Sequence, residues 1–180
     1  MINLEREFKT KIDQETYERL IKKYNLKNNI YIQENYYFDT ENADLKQQDI
    51  TMRVRIKDWS VHLTKKEKGE NGTIEETNII TKDEALFFIQ NGFKYKNYDV
   101  KNVASLKTYR VKFQYDHGTL FFDKNEYYGI TDYEIEYEID DDINLERGKR
   151  MFSGFLEAEG IPFQKQSSKS NRAIKAKQSM

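Results

Sequence analysis

The stretch Tyr133-Glu134-Ile135-Glu136-Tyr137-Glu138-Ile139 alternates without a break between glutamate and a bulky apolar or aromatic residue. A period of two belongs to a β-strand, in which residues i, i+2 and i+4 share a face. Glu134, Glu136 and Glu138 therefore lie on one face, and Tyr133, Ile135, Tyr137 and Ile139 on the other. The pattern recurs elsewhere. Leu4-Glu5-Arg6-Glu7-Phe8-Lys9 sets Glu5, Glu7 and Lys9 opposite Leu4 and Phe8. Met52-Arg53-Val54-Arg55-Ile56-Lys57 sets three cations opposite Met52, Val54 and Ile56. Tyr109-Arg110-Val111-Lys112-Phe113 sets Arg110 and Lys112 on one face.

A half-buried strand with a solvated charged face is the ordinary reading of any one of these segments. Sorting by sign argues for more. Three carboxylates on one strand face repel, whereas a surface serving stability alone mixes signs. If the apolar faces pack outward against helices, the charged faces line a cavity with an acidic wall and a basic wall. Mg²⁺ and Mn²⁺ prefer carboxylate oxygens. Arg binds phosphate oxygens through bidentate hydrogen bonds and Lys binds them as a point charge. A polyphosphate held between the walls would be neutralised from both sides, and a metal there can activate water for attack on phosphorus.

Working outward, three segments read as helices. Residues 14–24 follow Asp13 as N-cap and carry Tyr17, Leu20, Ile21 and Tyr24 on one face. Residues 82–91 open with the capping-box pair Thr81 and Glu84 and stop at Gly92. Residues 145–159 follow Asn144, bury Met151, Phe152, Phe155 and Leu156, and end at Gly160 and Pro162. Strands are expected near 2–11, 31–40, 50–57, 60–67, 73–80, 107–116, 119–125 and 131–140. Turns are expected at Gly69–Gly72 and Asp116–Thr119, and the basic tail 164–180 reads as solvated, with a strand or turn at its start. The fold class is mainly β (α+β), an antiparallel barrel or sandwich with a few helices.

The chain has 180 residues, which suits one domain over 1–180, and no Pro/Gly/Ser-rich linker divides it. Charged residues make up 34%, above the globular norm of roughly 25%. Disorder is countered by 14% aromatics and by near-cancellation of 30 Lys+Arg against 31 Asp+Glu. Zero cysteines exclude disulfides and thiol chemistry. The charged N-terminus and the lack of a long apolar run predict a cytoplasmic protein without a membrane partner, and a net charge of −1 gives no drive towards nucleic acid. No Gly-rich phosphate loop is present, so phosphate must be held by side chains. His117 falls in an expected turn and His62 has no companion motif, so neither is assigned a catalytic role, and Trp59 reads as a packing or loop aromatic between two strands.

These segments resemble the CYTH family, named for a bacterial adenylate cyclase and the mammalian thiamine triphosphatase and also called the triphosphate tunnel metalloenzymes. Glu5, Glu7 and Lys9 match its Glu-x-Glu-x-Lys signature. Further matches are Tyr37-Phe38-Asp39-Thr40, Leu45, Met52-Arg53-Val54-Arg55, Leu63-Thr64-Lys65-Lys66-Glu67 and Ser105-Leu106-Lys107-Thr108-Tyr109-Arg110. Asp123, the Glu-x-Glu-x-Glu strand and Ser168-Lys169-Ser170-Asn171-Arg172 complete the series, most similar to the small single-domain CYTH proteins of Gram-positive bacteria. Met52 departs from the commoner leucine. Lys65 departs from an apolar position, and parity with Thr64 favours Lys66 as the inward residue.

The resemblance implies a closed eight-stranded antiparallel tunnel. It implies metal binding by Glu5, Glu7, Glu136 and Glu138, aided by Asp123 and Glu134, with Glu5, Glu7 and Lys9 catalytic. Arg53, Arg55, Lys66, Arg110 and Lys112 would grip the triphosphate, and Lys9 and Lys169 would complete the basic lining. Glu76 is a further candidate interior carboxylate. The implied activity is Mg²⁺- or Mn²⁺-dependent hydrolysis of inorganic triphosphate, thiamine triphosphate or a nucleoside triphosphate, by a monomer or homodimer. An adenylate cyclase using the same residues and a non-catalytic triphosphate- or polyphosphate-binding module are the alternatives.

Overall fold

A computed structural model describes residues 1–58 and 60–180; Trp59 lies outside the described residues. In chain order the elements are β1 (Ile2–Glu5), β2 (Glu7–Ile12), α1 (Gln14–Lys23), β3 (Tyr31–Asp39), α2 (Asp44–Gln47), β4 (Ile50–Lys57) and β5 (Ser60–Lys68). There follow β6 (Thr73–Ile79), α3 (Lys82–Asn91), β7 (Phe93–Tyr95), β8 (Tyr98–Gln114), β9 (Gly118–Tyr127), β10 (Ile130–Ile139), α4 (Leu145–Ala158) and α5 (Lys169–Gln178). The three expected helices start at the expected caps. Asp13 accepts from Thr16 N, Asn144 accepts from Arg147 N, and Thr81 and Glu84 form both halves of the capping box. Among the described residues no helix is long and apolar enough to cross a membrane.

The chain forms two compact units, each assembled from segments distant in sequence. The first comprises Met1–Glu5, Ile32–Lys107 and Ser168–Met180. Its strands run in the order β1-β6-β5-β4-β3-β8, with β7 on β8. The even-numbered side chains of β4 (Met52, Val54, Ile56) pack with Phe38, Val61 and Leu63, and Ala85 and Phe88 of α3 cover them. The Asp39 carboxylate accepts N–H bonds from Thr40, Leu45 and Lys46, which seats α2 and buries Leu45.

The second unit comprises Arg6–Tyr31 and Thr108–Ser167. It holds the end of β8, then β9, β10 and β2. Val111, Leu120, Phe122, Ile135, Tyr137 and Ile139 form one apolar sheet face against Leu20 and Ile21 of α1 and Phe152, Phe155 and Leu156 of α4. Each such large side chain contributes roughly 1.5–3 kcal/mol by leaving water. At the end of α4, Glu159 accepts from Arg19, Lys23 and Tyr24 and so ties α1 to α4. Burial pushes its carboxyl up, but these three hydrogen bonds win and hold it below the usual range.

In both units the apolar strand faces meet helices, so the charged faces are the opposite ones. Several expectations need correction. The strand expected over 2–11 breaks at Arg6, whose guanidinium donates to the carbonyls of Ile143 and Asp140. Residues before the break pair with β6 and residues after it pair with β10. Among the described residues the hydrogen-bonded path therefore ends at β1 and at β2, and the sheet has ten strands and is open, where a closed eight-stranded barrel was expected. The strand expected from residue 107 begins at Tyr98. The tail expected as solvated, with a strand or turn at its start, instead has neither over residues 164–168 and then forms α5, which Ser168 caps and in which Ser170 and Ala173 are buried.

Candidate functional site

In the second unit the register lines up the acidic face of β10. Glu134 pairs with Asp123 of β9, Glu136 with Lys9 of β2, and Glu138 with Glu7. Asp123 and Glu134 are fully buried and Glu136 is 7% exposed. One carboxylate oxygen from each of Asp123, Glu134 and Glu136 lies within 4.8 Å of the others. Arg110 crosses from β8 with its Nε 2.8 Å from Asp123 Oδ1 and its Nη2 bonded to Asp123 Oδ2 and to Glu136. Its guanidinium also lies over the Phe121 ring, 4.4 Å from the centroid. Burial works against the Arg110 charge, yet the adjacent Asp123 and Glu136 outweigh it and hold its pKa well above the ordinary value.

A second layer continues the same strand parity. Asn125 donates to Asp132 and Glu134 and accepts from Thr108, and the Tyr127 hydroxyl donates to Asp132. These residues were not singled out from sequence, although Asn125 is two residues from Asp123 and Asp132 two from Glu134. Lys9 donates to Glu7 at 2.6 Å, Glu138 is half-buried, and Lys112 is exposed. The trio Asp123, Glu134 and Glu136 offers only oxygen donors from three rigid strand positions, and such a set fits a hard divalent cation. His117, Asp140 and Asp142 also come together, but two of the three are exposed.

In the first unit Arg53 is 8% exposed and lies in register with Tyr37 and Thr64. Lys66 bonds Glu5 and lies 2.9 Å from Glu75, and Arg53 Nη2 lies 3.9 Å from Glu75. Burial raises the Glu75 carboxyl, but Lys66 and Arg53 outweigh it and bring its pKa down to about 2. Glu75 is thus the carboxylate on the Arg53 face, and the expectation for Glu76 is corrected. Glu76 pairs with Lys65, which lies across from Met52 on the apolar side. Lys66 stands on the charged side, as parity indicates. Arg55 Nε donates to Asn35 Oδ1 at 2.9 Å. Lys169 is the half-buried first residue of α5, and its neighbours Ser168, Ser170 and Asn171 line a cavity with Tyr37, Asp39 and Thr51.

Comparison with known proteins bears on what these faces do. A Bacillus subtilis (strain 168) protein named "Putative triphosphatase YjbK" is 27% identical over 170 residues, 88% of each chain. A crystal structure from Bacillus halodurans, described as a "putative adenylate cyclase", superposes with a TM-score of 0.87 at 27% identity, covering 95% of this chain and 97% of that one. A Hippeastrum structure, described as a "putative adenylyl cyclase" with a dominant triphosphatase activity, shares the fold with a TM-score of 0.76 at 21% identity, covering 96% of each chain. The profile described as "CYTH domain" matches residues 3–174, a span that takes in both Glu-x-Glu strands, the Arg-x-Arg strand and Lys169, and with that match the chain belongs to the CYTH family.

Proposed function

We propose that this chain is a divalent-metal-dependent triphosphatase acting on a small-molecule triphosphate. The buried trio Asp123, Glu134 and Glu136, with Arg110 bonded to two of its members, carries the reading. Removing ions from water costs on the order of several kcal/mol each, so such a cluster is a poor device for stability. Buried charges in contact, with the Arg110 charge held by its two carboxylate neighbours, concentrate at functional sites.

Asp123, Glu134 and Glu136 are the proposed ligands of Mg²⁺ or Mn²⁺, and Glu5, Glu7 and Glu138 are assigned to the same role from the Glu-x-Glu patterns. Such an ion, when bound, acidifies water and offsets phosphate charge. In the second unit Arg110, Lys9 and Lys112 are assigned to phosphate oxygens; in the first, Arg53, Arg55, Lys66 and Lys169. During hydrolysis the water oxygen bonds to the terminal phosphorus and gives up a proton to solvent. The bridging P–O bond breaks and its electron pair leaves with the diphosphate. Cations fixed in advance stabilise the charge that develops on the leaving oxygen. The reading includes a single domain, supported by the unbroken family match, a cytoplasmic setting, and a monomer or homodimer.

The Bacillus halodurans relative supports a second reading, a nucleotidyl cyclase. There the ribose 3′-hydroxyl attacks the α-phosphorus and pyrophosphate leaves. The deciding assay offers inorganic triphosphate, ATP and thiamine triphosphate with Mg²⁺ or Mn²⁺, beside a Glu5→Gln/Glu7→Gln variant. Orthophosphate release that disappears in the variant is expected. Cyclic nucleotide with pyrophosphate would favour the cyclase, and binding with no product would leave a triphosphate-binding module.

A further inference from the structure

The charged face of the first unit changes character along its strands. Strand register stacks it in rows about 7 Å apart. One row holds Thr51, Lys66 and Glu75, and the next holds Tyr37, Arg53, Thr64 and Thr77. The row beyond holds Asn35, Arg55, His62 and Ile79, and Gln33 sits across from Lys57 in the one after. Ion pairs dominate at Lys66 and Glu75. Two amides, an imidazole and an apolar side chain appear beyond the Arg53 row.

This end carries polar atoms that the protein leaves without hydrogen-bond partners. Asn35 is 1% exposed and Gln33 is 4% exposed, yet Asn35 Nδ2 and Gln33 Oε1 are buried and unmatched. His62 Nδ1 and Arg53 Nε are in the same position. The Asn35 amide is oriented by Arg55, which can only donate, so its oxygen faces Arg55 and its NH₂ points elsewhere. Buried polar atoms without partners are rare, because each forfeits its bond to water. Both signs occur here: Asn35 and Arg53 offer N–H donors, whereas Gln33 offers an acceptor. An ionised phosphate satisfies donors only and repels an acceptor. His62 does not restore an anion site. Burial, then Arg55, Arg53 and Lys57, hold it below its usual range against the opposing pull of Glu75, which favours the neutral ring. Across from His62, Ile79 is 82% exposed, an apolar surface open to a flat ligand.

We propose that the row Asn35, His62 and Ile79, with Gln33, is a subsite for the base of a nucleoside triphosphate. The inference rests on the triphosphatase reading and narrows its substrate class. A nucleobase supplies N–H donors, ring acceptors and an apolar face in one planar group. Inorganic triphosphate supplies none of these except acceptors.

The test measures binding by calorimetry in EDTA, where turnover is absent, with ATP, GTP and inorganic triphosphate as probes. Wild-type protein should bind at least one nucleotide about tenfold or more tightly than inorganic triphosphate. In His62→Ala and in Ile79→Ser that ratio should collapse by about fivefold or more, as the loss of a hydrogen bond or apolar contact would give. Ile79 is exposed, so its substitution leaves the fold intact and keeps the result interpretable. Inorganic triphosphate binding as tightly as both nucleotides overturns the subsite, as does a ratio that neither variant changes. Phosphate release with Mn²⁺, measured separately, judges the triphosphatase reading: turnover with no nucleotide preference removes only the subsite.

Discussion

Arg110 reaches two carboxylates with one guanidinium, and its flat fork is what makes that geometry available. Arg110→Met leaves Asp123 and Glu136 buried without their shared cation, and about 3–5 kcal/mol of stability should be lost. Arg110→Lys keeps the charge and loses the bidentate bond, so a smaller loss of about 1–2 kcal/mol is expected. Mn²⁺ should recover part of the Met variant's loss, read as a rise in its urea midpoint; no rise would argue against a cation site among these carboxylates. Glu75 makes a different case. Its folded pKa of about 2 lies below the ordinary 4.5, so it stabilises the fold above pH 4.5 and the benefit disappears as pH falls towards 2. A shift of that size corresponds to about 3 kcal/mol at face value, and partial exposure reduces it to about 1–2 kcal/mol. Glu75→Gln should therefore be less stable than wild type at pH 7, and the gap should close in acid denaturation series below pH 4. The acidic residues of β10 and the cations of β4 were legible because apolar neighbours alternate with them and reveal the faces. Thr73-Ile74-Glu75-Glu76-Thr77 has adjacent glutamates and little apolar alternation, so only the pairing of Glu75 with Lys66 tells which one faces Arg53.

Elements were legible where a local signal marked both ends. The α3 capping box and Gly92, with φ +76, bracket that helix in sequence and in structure alike. The first part of β8 gave no such signal: Asp99, Lys101, Asn102, Ala104 and Ser105 break the apolar alternation, and only the structure shows Tyr98–Val100 paired with β7 and β8 lying beside β3. The tail hid a helix for a related reason. Its buried face is made of Ser170 and Ala173, residues too small to register as a hydrophobic stripe. Small size also governs how α4 meets its sheet. A Cβ at Gly148 would lie 2.8 Å from Ile139 Cγ2 and 3.0 Å from the Phe8 ring. Alanine favours an isolated helix by about 1 kcal/mol over glycine. Overpacking a tight contact costs about 1–3 kcal/mol, and here it should win. Gly148→Ala is expected to lower the thermal midpoint, whereas Gly154→Ala, with nothing within 4 Å of the added atom, should raise it. Equal shifts in the two variants would show that α4 packs more loosely than its contacts indicate.

Over the whole molecule 30 cations nearly cancel 31 anions, yet the strands sort them by sign, so the balance holds globally and fails locally. A protein selected only for stability would mix those signs, and the sorted arrangement therefore has to be maintained against its own repulsion. Function and stability should separate at Glu134, which is fully buried within reach of two other carboxylates. Glu134→Gln keeps the shape and the hydrogen bond from Asn125 while removing one charge. In EDTA the variant should unfold at the same or a higher temperature than wild type, with a gain of up to about 1 kcal/mol. Mn²⁺ should reverse the order. A ligand at a hundred times its dissociation constant adds about 2.7 kcal/mol to the fold that binds it, and the variant should gain much less. Thermal melts of both proteins with and without Mn²⁺ give the four numbers required. If the variant melts well below wild type in EDTA and both gain equally from the metal, Glu134 is a structural carboxylate. In that case the divalent cation, if any binds, is held elsewhere.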